Sequence, residues 1–169
     1  MKSRVEEIVL RLDMNPHPEG GYYKEVYRSK QVIPKNVLGK KFTGERCCCT
    51  AIYFLLTSDN FSAFHKINQD EIWHYYEGSS LYVHVIDPAG NYSKYSVGIN
   101  LDIGESPQLV VPADCWFASE VKNKDSYSLV GCTVSPGFDF DDFELADRGD
   151  LIQKYPDCKD IITRLTRDQ

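Results

Sequence analysis

The chain has 169 residues and a formal net charge of -6. This length suits one domain that buries a core without disulfide support, so we expect a single domain over residues 1–169. Lys and Arg are scattered along an acidic chain, which argues against a nucleic acid or an anionic membrane as partner, because both require clustered positive charge.

Targeting and cysteine patterns predict a cytoplasmic protein. No apolar run approaches the roughly 20 residues that span a bilayer, and residues 1–7 are too acidic for a signal peptide. The chain has six cysteines, three of them consecutive at positions 47–49, and no CxxC pair occurs. The spacing therefore predicts neither a zinc ribbon nor a disulfide framework.

The first predicted element is a short N-terminal helix. Its apolar stripe has helical spacing and consists of Val5, Ile8, Val9 and Leu12. Residues 15–21 contain two prolines and two glycines, which restrict or remove backbone hydrogen bonding. We expect this segment to interrupt regular structure before a β-rich region begins.

Alternating apolar and polar residues then predict nine short strands. Turn signals separate them about every ten residues, and the connections are too short to hold helices between parallel strands. An antiparallel sandwich or barrel is therefore expected. The predicted strands are residues 22–28, 48–57, 61–67, 71–76, 81–87, 92–97, 108–111, 116–119 and 126–134.

The C-terminal part combines an aromatic loop with a last helix. Aromatic and acidic residues alternate here, and packing of the loop onto the barrel is expected for Phe138, Phe140 and Phe143. Asp157 is a candidate N-cap of the helix. Its apolar side would consist of Ile161, Ile162 and Leu165.

Residues 64–78 hold the clearest candidates for chemistry. Strand periodicity directs His65 into the barrel if its two neighbours face outward. An imidazole there suits a base or a hydrogen-bond donor near neutral pH, so His65 is one candidate catalytic residue. A core histidine that is hydrogen-bonded to Glu71 is the structural alternative.

Glu71 is the second candidate catalytic residue. On the same strand face, Trp73 and Tyr75 give this carboxylate aromatic neighbours, and both are candidate ligand-binding residues. In that setting the carboxylate either pairs with His65 or has its proton affinity raised by desolvation. A surface position at the start of a strand is the alternative.

Two further segments are expected to form walls of a pocket around these residues. The entry to the first strand has two glycines that permit close backbone approach, which makes Glu19 and Tyr22 candidate ligand-binding residues. Phe117 is expected on the opposite wall, where an aromatic ring can stack on a sugar or a base. Packing alone would also explain these positions.

A metal site is not predicted, because such sites usually need at least three protein ligands. Strand alternation turns His74 away from the cavity, His84 lies among aliphatic residues, and His17 lies in the proline-rich loop. His65 and Glu71 therefore lack a third partner, and no cofactor is expected.

The pattern resembles the two motifs of cupin barrels. The places of the first motif are taken by His65, Glu71 and Gly78. Ile67 stands where a second histidine would be, and residues 112–117 resemble the second motif with Asp114 for its glycine and Phe117 for its histidine. By this resemblance, two of the usual four metal ligands are missing.

Longer segments resemble an uncharacterised cupin family, a domain of unknown function also called cupin-5. The matching segments are residues 17–23, 27–29, 50–56, 70–78, 110–113, 116–118 and 129–138. The resemblance implies an all-β fold, the double-stranded β-helix or cupin jelly-roll barrel, with short N- and C-terminal helices, similar in fold to the deoxysugar epimerases. It also implies a homodimer, but it brings no established reaction.

Three functions remain open at this point. The first is binding of a small polar ligand, sugar-like or nucleotide-like by fold analogy, in a barrel pocket without a complete metal site. The second is an epimerase or isomerase in which His65 removes a proton next to a carbonyl and a tyrosine returns one; a metal-dependent cupin enzyme is a weaker variant. The third is a structural or storage role.

Overall fold

A computed structural model of the chain describes residues 3–167. Over this part of the chain, the helices are α1 (Arg4–Arg11), α2 (Lys35–Leu38), α3 (Arg148–Lys154) and α4 (Lys159–Arg164). The strands are β1 (Asn15–Pro16), β2 (Tyr22–Arg28), β3 (Val32–Ile33), β4 (Arg46–Cys47), β5 (Thr50–Thr57), β6 (Phe61–Lys66), β7 (Asp70–Gly78), β8 (Leu81–Ile86), β9 (Tyr92–Val97), β10 (Gln108–Val111), β11 (Trp116–Val121), β12 (Tyr127–Ser135) and β13 (Glu144–Leu145).

Two antiparallel sheets face each other across the main core. Within residues 3–167, one sheet has six strands in the order β1-β2-β5-β12-β7-β10, and the other has five in the order β13-β6-β11-β8-β9. The short strands β3 and β4 pair separately. Neighbouring strands in these ladders run antiparallel, so the predicted all-β jelly-roll barrel with short terminal helices is confirmed.

Helices α1, α3 and α4 cover the outer faces of the two sheets. Ile8 of α1 packs with Leu55 and Leu129 on the six-stranded sheet. On the five-stranded sheet, Ile162 and Leu165 pack with a separate cluster that includes Phe64 and Trp116. Each fully buried side chain of this kind contributes roughly 1.5–3 kcal/mol to stability, so these contacts hold the helices on the sheets. The helices described here are all too short or too polar to cross a bilayer.

The nine predicted strands are all present. Three have the predicted bounds, and the other six differ by at most two residues at either end. The sequence did not predict the two-residue strands β1, β3, β4 and β13, because such short pairings are determined by their partners rather than by local alternation. Helix α3 was also missed, since Gly149 in its first turn weakens the helical pattern.

The two predicted terminal helices are present, but one predicted cap is wrong. Helix α1 begins with a capping box in which Ser3 Oγ accepts from the Glu6 N–H and the Glu6 carboxylate accepts from the Ser3 N–H. Asp157 does not cap the last helix, because it lies inside a 3-10 turn at Pro156–Cys158 and α4 begins at Lys159.

Candidate functional site

A cavity of about 330 Å³ lies on the inner face of the six-stranded sheet. The three buried ionisable groups that the sequence singled out line it together: Glu19, His65 and Glu71 are 5%, 3% and 8% exposed. The walls come from the loop before β2, from strands β2, β5, β6, β7 and β12, and from the segment after β12. Its volume lies at the lower end of the range of small-molecule sites, roughly 300–1,000 Å³.

The partner of His65 is Glu19. The His65 Nε2 atom lies 2.8 Å from Glu19 Oε2, and His65 Nδ1 lies 2.7 Å from the carbonyl oxygen of Ala63. Burial lowers the pKa of His65, but the charge and hydrogen bond of Glu19 outweigh burial and raise it above its usual value. Since both ring nitrogens face acceptors, His65 is an imidazolium that donates two hydrogen bonds. Of the two alternatives for Glu71, pairing with His65 is not seen, because His65 pairs with Glu19 instead.

Glu19 is held ionised by the same contact. Burial raises the pKa of Glu19, but the charge of His65 and the hydrogen bond between them outweigh burial and lower it overall. A backbone contact orders the loop, because the Ala63 N–H donates to the Glu19 carbonyl oxygen at 2.8 Å. The sequence placed Glu19 on the pocket wall but gave no sign of its partner, which lies 46 positions away on another element.

Glu71 has a different environment. Burial raises the pKa of Glu71 to about 7, the charge of His65 opposes this shift, and the charge of Glu19 adds to it. The thiol of Cys132 is its hydrogen-bonding neighbour, and burial together with Glu71 raises the pKa of that thiol well above its usual range. Near neutral pH, Glu71 therefore exchanges readily between its acid and its carboxylate form.

His17 completes the polar wall, although the sequence analysis assigned it no role in the pocket. The backbone N–H of Glu19 donates to His17 Nδ1 at 3.3 Å, so the ring proton of neutral His17 is on Nε2. Burial lowers the pKa of His17, and this effect exceeds the attraction of the Glu19 carboxylate. His17 is thus a neutral imidazole beside a charged pair.

Aromatic rings form the opposite side of the cavity. Phe138, Phe140 and Phe143 line it, and the Phe143 ring stacks on His65 with centroids 5.3 Å apart. From the sequence, these three rings are expected to pack the loop onto the barrel, because alternation of aromatics and acids does not indicate which side of a loop faces a cavity. The exposed ring of Phe140 lies at the mouth, together with the exposed pair Glu25 and Arg28.

A buried ion pair anchors this aromatic segment. Arg46 binds Asp142 through two hydrogen bonds, Nε to Oδ2 at 2.7 Å and Nη2 to Oδ1 at 2.8 Å, with both side chains buried. The Gln69 amide also donates to Asp142 Oδ2 at 2.7 Å. A bidentate pair with further donors keeps the rings in place over the cavity.

The loop that carries Glu19 is anchored at a glycine. Gly20 has φ of +116°, and a Cβ atom there would lie 2.2 Å from the Phe61 carbonyl oxygen, so a side chain is not tolerated. The Arg167 guanidinium fills the adjacent space and donates to the carbonyl oxygens of Glu19 and Phe61 at 3.2 and 2.8 Å.

The other four residues predicted to bind ligand do not line this cavity. Tyr22 packs towards α1 on the outer face, and strand alternation brings Tyr23 to the cavity instead. Trp73 is a core residue with its ring edge-on to Phe54 at 5.9 Å. The Tyr75 hydroxyl donates to the Gly78 carbonyl oxygen near the end of the strand.

Phe117 supports the cavity without lining it. Its ring lies against that of His65, with centroids 4.1 Å apart, because the two residues are paired on neighbouring strands. His65 is thus held between the rings of Phe117 and Phe143, whose faces attract a positive charge.

The donor arrangement does not fit the metal site of the cupin motifs. The places of two motif histidines hold Ile67, whose apolar side chain lines the cavity, and Phe117. Both ring nitrogens of His65 are already hydrogen-bonded. In the part of the chain that the structure describes, no three His, Cys, Asp or Glu side chains are grouped to hold a metal ion.

The remaining histidines lie elsewhere. His74 bonds Thr133 Oγ1 at 3.0 Å, outside the cavity, as strand alternation predicts. His84 is buried between Tyr92 and Glu120, at 2.8 and 3.1 Å. Asp114, which stands in place of the glycine of the second cupin motif, takes a φ of +64°, a left-handed conformation that favours glycine.

Comparisons with known proteins agree with this architecture. A family model described as Cupin superfamily (DUF985) matches residues 6–146. The uncharacterized protein YML079W of Saccharomyces cerevisiae is 34% identical over 150 residues, which cover 83% of this chain and 74% of that protein.

Solved structures extend the comparison. Protein SO0799 of Shewanella oneidensis matches with 36% identity and a TM-score of 0.88 over 100% of both chains. A hypothetical protein of Leishmania major has the same identity and TM-score, over 96% of this chain and 98% of that one. The oxalate decarboxylase of Bacillus subtilis is 12% identical with a TM-score of 0.55, over 93% of this chain and 38% of that one, which is a likeness of fold alone. The family match spans most of the sequence, and this chain belongs to the Cupin_5 (DUF985) family of the cupin superfamily.

Proposed function

We propose that this protein binds a small organic molecule in the barrel cavity. One observation carries the proposal: the cavity combines a polar wall of Glu19, His65 and Glu71 with an aromatic wall on the opposite side. A few convergent polar groups in a largely apolar concave site are the usual form of a small-molecule site. The ligand combines hydrogen-bonding groups with an apolar face, a description that sugar-like and nucleobase-like molecules meet.

A blocked cavity tests this function. Ile52→Trp places a large ring on the cavity wall, whereas Val110→Trp adds the same ring at an exposed position of the same sheet. Sugars, nucleosides, amines and small acids would be screened for an increase in Tm. A ligand at a hundred times its Kd should raise Tm by roughly 5–10 °C in the wild type and in Val110→Trp, but not in Ile52→Trp. Equal shifts in both variants, or no shift with any compound, would contradict the proposal.

Proton transfer of the epimerase or isomerase type is the second candidate. The pKa of about 7 at Glu71 favours it, because a general acid or base works best near the pH of the reaction. The sequence analysis gave the role of base to His65, but both nitrogens of that imidazolium already donate hydrogen bonds. In this arrangement Glu71, in its carboxylate form, removes the proton and becomes the acid that can return one.

Deuterium incorporation tests this second function. Aldoses, ketoses and hydroxyketones would be incubated with the protein in heavy water and followed by NMR. Exchange of the carbon-bound hydrogen next to the carbonyl should occur with the wild type and stop in Glu71→Gln. Exchange that persists in Glu71→Gln and stops in His65→Gln would restore His65 as the base.

A homodimer is part of the same proposal. The loop between β9 and β10, which are edge strands of the two sheets, exposes the apolar residues Ile99, Leu101 and Ile103. Contact of this loop with a second subunit would remove apolar surface from water and protect both edge strands. Sedimentation should give a dimer for the wild type and a monomer for Leu101→Lys with Ile103→Lys, whereas Val37→Lys at another exposed position should stay dimeric. A monomeric wild type at micromolar concentration would remove this part of the proposal.

A cytoplasmic location is proposed on the state of the cysteines. All six are free thiols, and Cys115, Cys132 and Cys158 are buried. Free thiols persist in reducing compartments. Fractionation of cells that express the tagged chain should recover it with cytoplasmic markers.

A further inference from the structure

The ionisable groups on the cavity wall leave two carboxylates without an ion pair. Glu19 pairs with the His65 imidazolium, and Glu25 pairs with Arg28 at the mouth. Within residues 3–167, the remaining lining carboxylates, Glu71 and Asp139, contact no cationic side chain at ion-pair distance. The lining side chains whose charge is not balanced by an ion pair are therefore carboxylates.

Glu71 is the buried member of these two. It is 8% exposed, and its hydrogen-bonding neighbour is the thiol of Cys132, which is a weak donor. A buried carboxylate is costly unless strong donors or a cation compensate it. Glu71 is therefore a hydrogen-bond acceptor for which the neighbouring side chains supply no strong donor.

The opposite wall is aromatic, and it suits an apolar body that carries a positive charge at its other end. The rings of Phe138, Phe140 and Phe143 surround one another edge-to-face, with centroids 5.0 to 6.4 Å apart. Ring faces carry partial negative charge and attract ammonium groups, and more strongly where water is excluded. The aromatic wall also accepts an apolar carbon skeleton.

We infer that the ligand of this cavity is a protonated amine on an apolar body, with its ammonium group bound by Glu71 and its carbon skeleton against the Phe138, Phe140 and Phe143 rings. The inference rests on the proposed binding function and narrows its ligand class. Carboxylates and phosphates are disfavoured, because the two cationic side chains of the wall, Arg28 and His65, are each paired with a carboxylate.

Several ionisable groups face Glu71 and determine how binding varies with pH. His65 from β6 and Glu19 from the loop act on it through their charges, and Cys132 from β12 through its thiol. Farther along the wall lie His17, Glu25, Arg28 and Asp139. The pKa of Glu71 is raised to about 7, so a larger fraction of Glu71 is ionised as pH rises. An alkylammonium remains protonated to about pH 10, so its affinity should increase between about pH 6 and about pH 8.

Matched compounds test the inference. Hexyl, phenylpropyl and cyclohexylethyl bodies would each be measured as the amine, the alcohol and the carboxylic acid, by calorimetry and ligand-observed NMR at about pH 8. The amine should bind at least about tenfold more tightly than the alcohol and the acid with the same body. Glu71→Gln should abolish that preference, whereas Glu45→Gln, the same change at an exposed position, should preserve it.

The wild type alone supplies a second readout if Glu71→Gln fails to fold. Below about pH 7, amine binding should release a proton from Glu71, which appears as a dependence of the binding heat on the ionisation enthalpy of the buffer. No proton release, or release unchanged in a folded Glu71→Gln, would overturn the inference.

The outcomes separate this inference from the binding function. Alcohols or acids that bind as tightly as the amines, and that are excluded by Ile52→Trp, would overturn the ammonium assignment and leave the binding function intact. Failure of all three series at millimolar concentration would count against both.

Discussion

His65 and Glu19 form a charged pair in which each residue maintains the ionisation of the other. Burial opposes the charge on both groups, and their contact at 2.8 Å restores it. Glu71 lies on the same wall without such a contact and is therefore nearer to the neutral form. Three ionisable groups in one cavity thus differ in protonation because of their immediate partners.

Glu19→Gln should lower the pKa of His65. Without the carboxylate, burial is the largest influence on the imidazole, and burial disfavours its charged form. NMR titration of the histidine ring signals would measure the change. Glu25→Gln at the mouth removes a carboxylate that is paired with Arg28, and it should leave the His65 titration unchanged. An unaltered His65 pKa in Glu19→Gln would contradict the assigned pair.

Glu71 should make the wild type less stable as pH rises. Its folded-state pKa of about 7 lies above the ordinary value of 4.5, so the unfolded chain releases its proton first. Stability is therefore lost between about pH 4.5 and about pH 7, on the order of 3 kcal/mol in total, and changes little above that range. Urea unfolding would measure the free energy of unfolding of both proteins. The stability of Glu71→Gln relative to the wild type should increase by this amount between pH 4.5 and pH 8. Parallel pH curves for the two proteins would contradict the raised pKa.

The sequence predicted the position of a site residue only where that position depends on its neighbours along the chain. Two-residue periodicity placed His65 and Glu71 on the inner face, and loop chemistry placed Glu19 beside them. Periodicity does not say how deep along a strand a cavity extends, so Trp73 and Tyr75 were assigned to it although one is core and the other lies near the strand end. The Glu19–His65 pair itself depends on the tertiary fold.

At the scale of elements, the aromatic segment is held in place by residues that lie outside the cavity. Arg46 on β4 and Gln69 before β7 both bind Asp142, in the turn that carries Phe140. A substitution at one of these anchoring residues can therefore increase the mobility of the rings without changing a side chain that lines the cavity.

Arg46→Met should destabilise the protein and free the aromatic segment. The substitution leaves the Asp142 carboxylate buried without its cation, which costs roughly 3–5 kcal/mol. Arg4→Met breaks an exposed bidentate ion pair between helix α1 and Glu77 of β7, and it should cost much less. Urea unfolding gives both values, and hydrogen exchange of residues 138–143 should accelerate only in Arg46→Met. Equal costs for the two variants would show that the buried pair is not an anchor.

Element prediction succeeded for long strands and failed for structure that depends on pairing. The nine main strands have their own alternation and turn residues, so local pattern sufficed. Strand β13 exists because Leu145 pairs with His65 on β6, a contact that no local pattern contains. The same long-range dependence explains why Phe138, Phe140 and Phe143 were assigned to packing.

At the scale of the whole molecule, the main core between the sheets shares the barrel interior with the cavity, and Phe54, Ile67, Cys132 and Val134 belong to both. The clusters under α1 and under α3 and α4 lie on the outer faces of the sheets, away from the cavity. These outer clusters contribute stability that does not depend on the cavity wall, where the buried charges lie.

Reductant should leave global stability unchanged. All six cysteines are free, so no covalent cross-link restrains the unfolded chain. Thermal unfolding with and without dithiothreitol, under conditions that prevent oxidation, should give the same Tm. A lower Tm in reductant would contradict this prediction, because it would indicate a disulfide bond that is absent from the structure.

The anchoring of the Glu19 loop by Arg167 links residues 148 positions apart. Contacts of such separation form only after much of the chain has been ordered, because the entropy of closing a long loop must first be overcome. During synthesis, the barrel strands emerge and begin to pair while Glu19 still lacks this restraint. The contact between Arg167 and the Glu19 loop therefore forms only after residue 167 has left the ribosome, so this restraint on the cavity is added after the barrel strands have emerged.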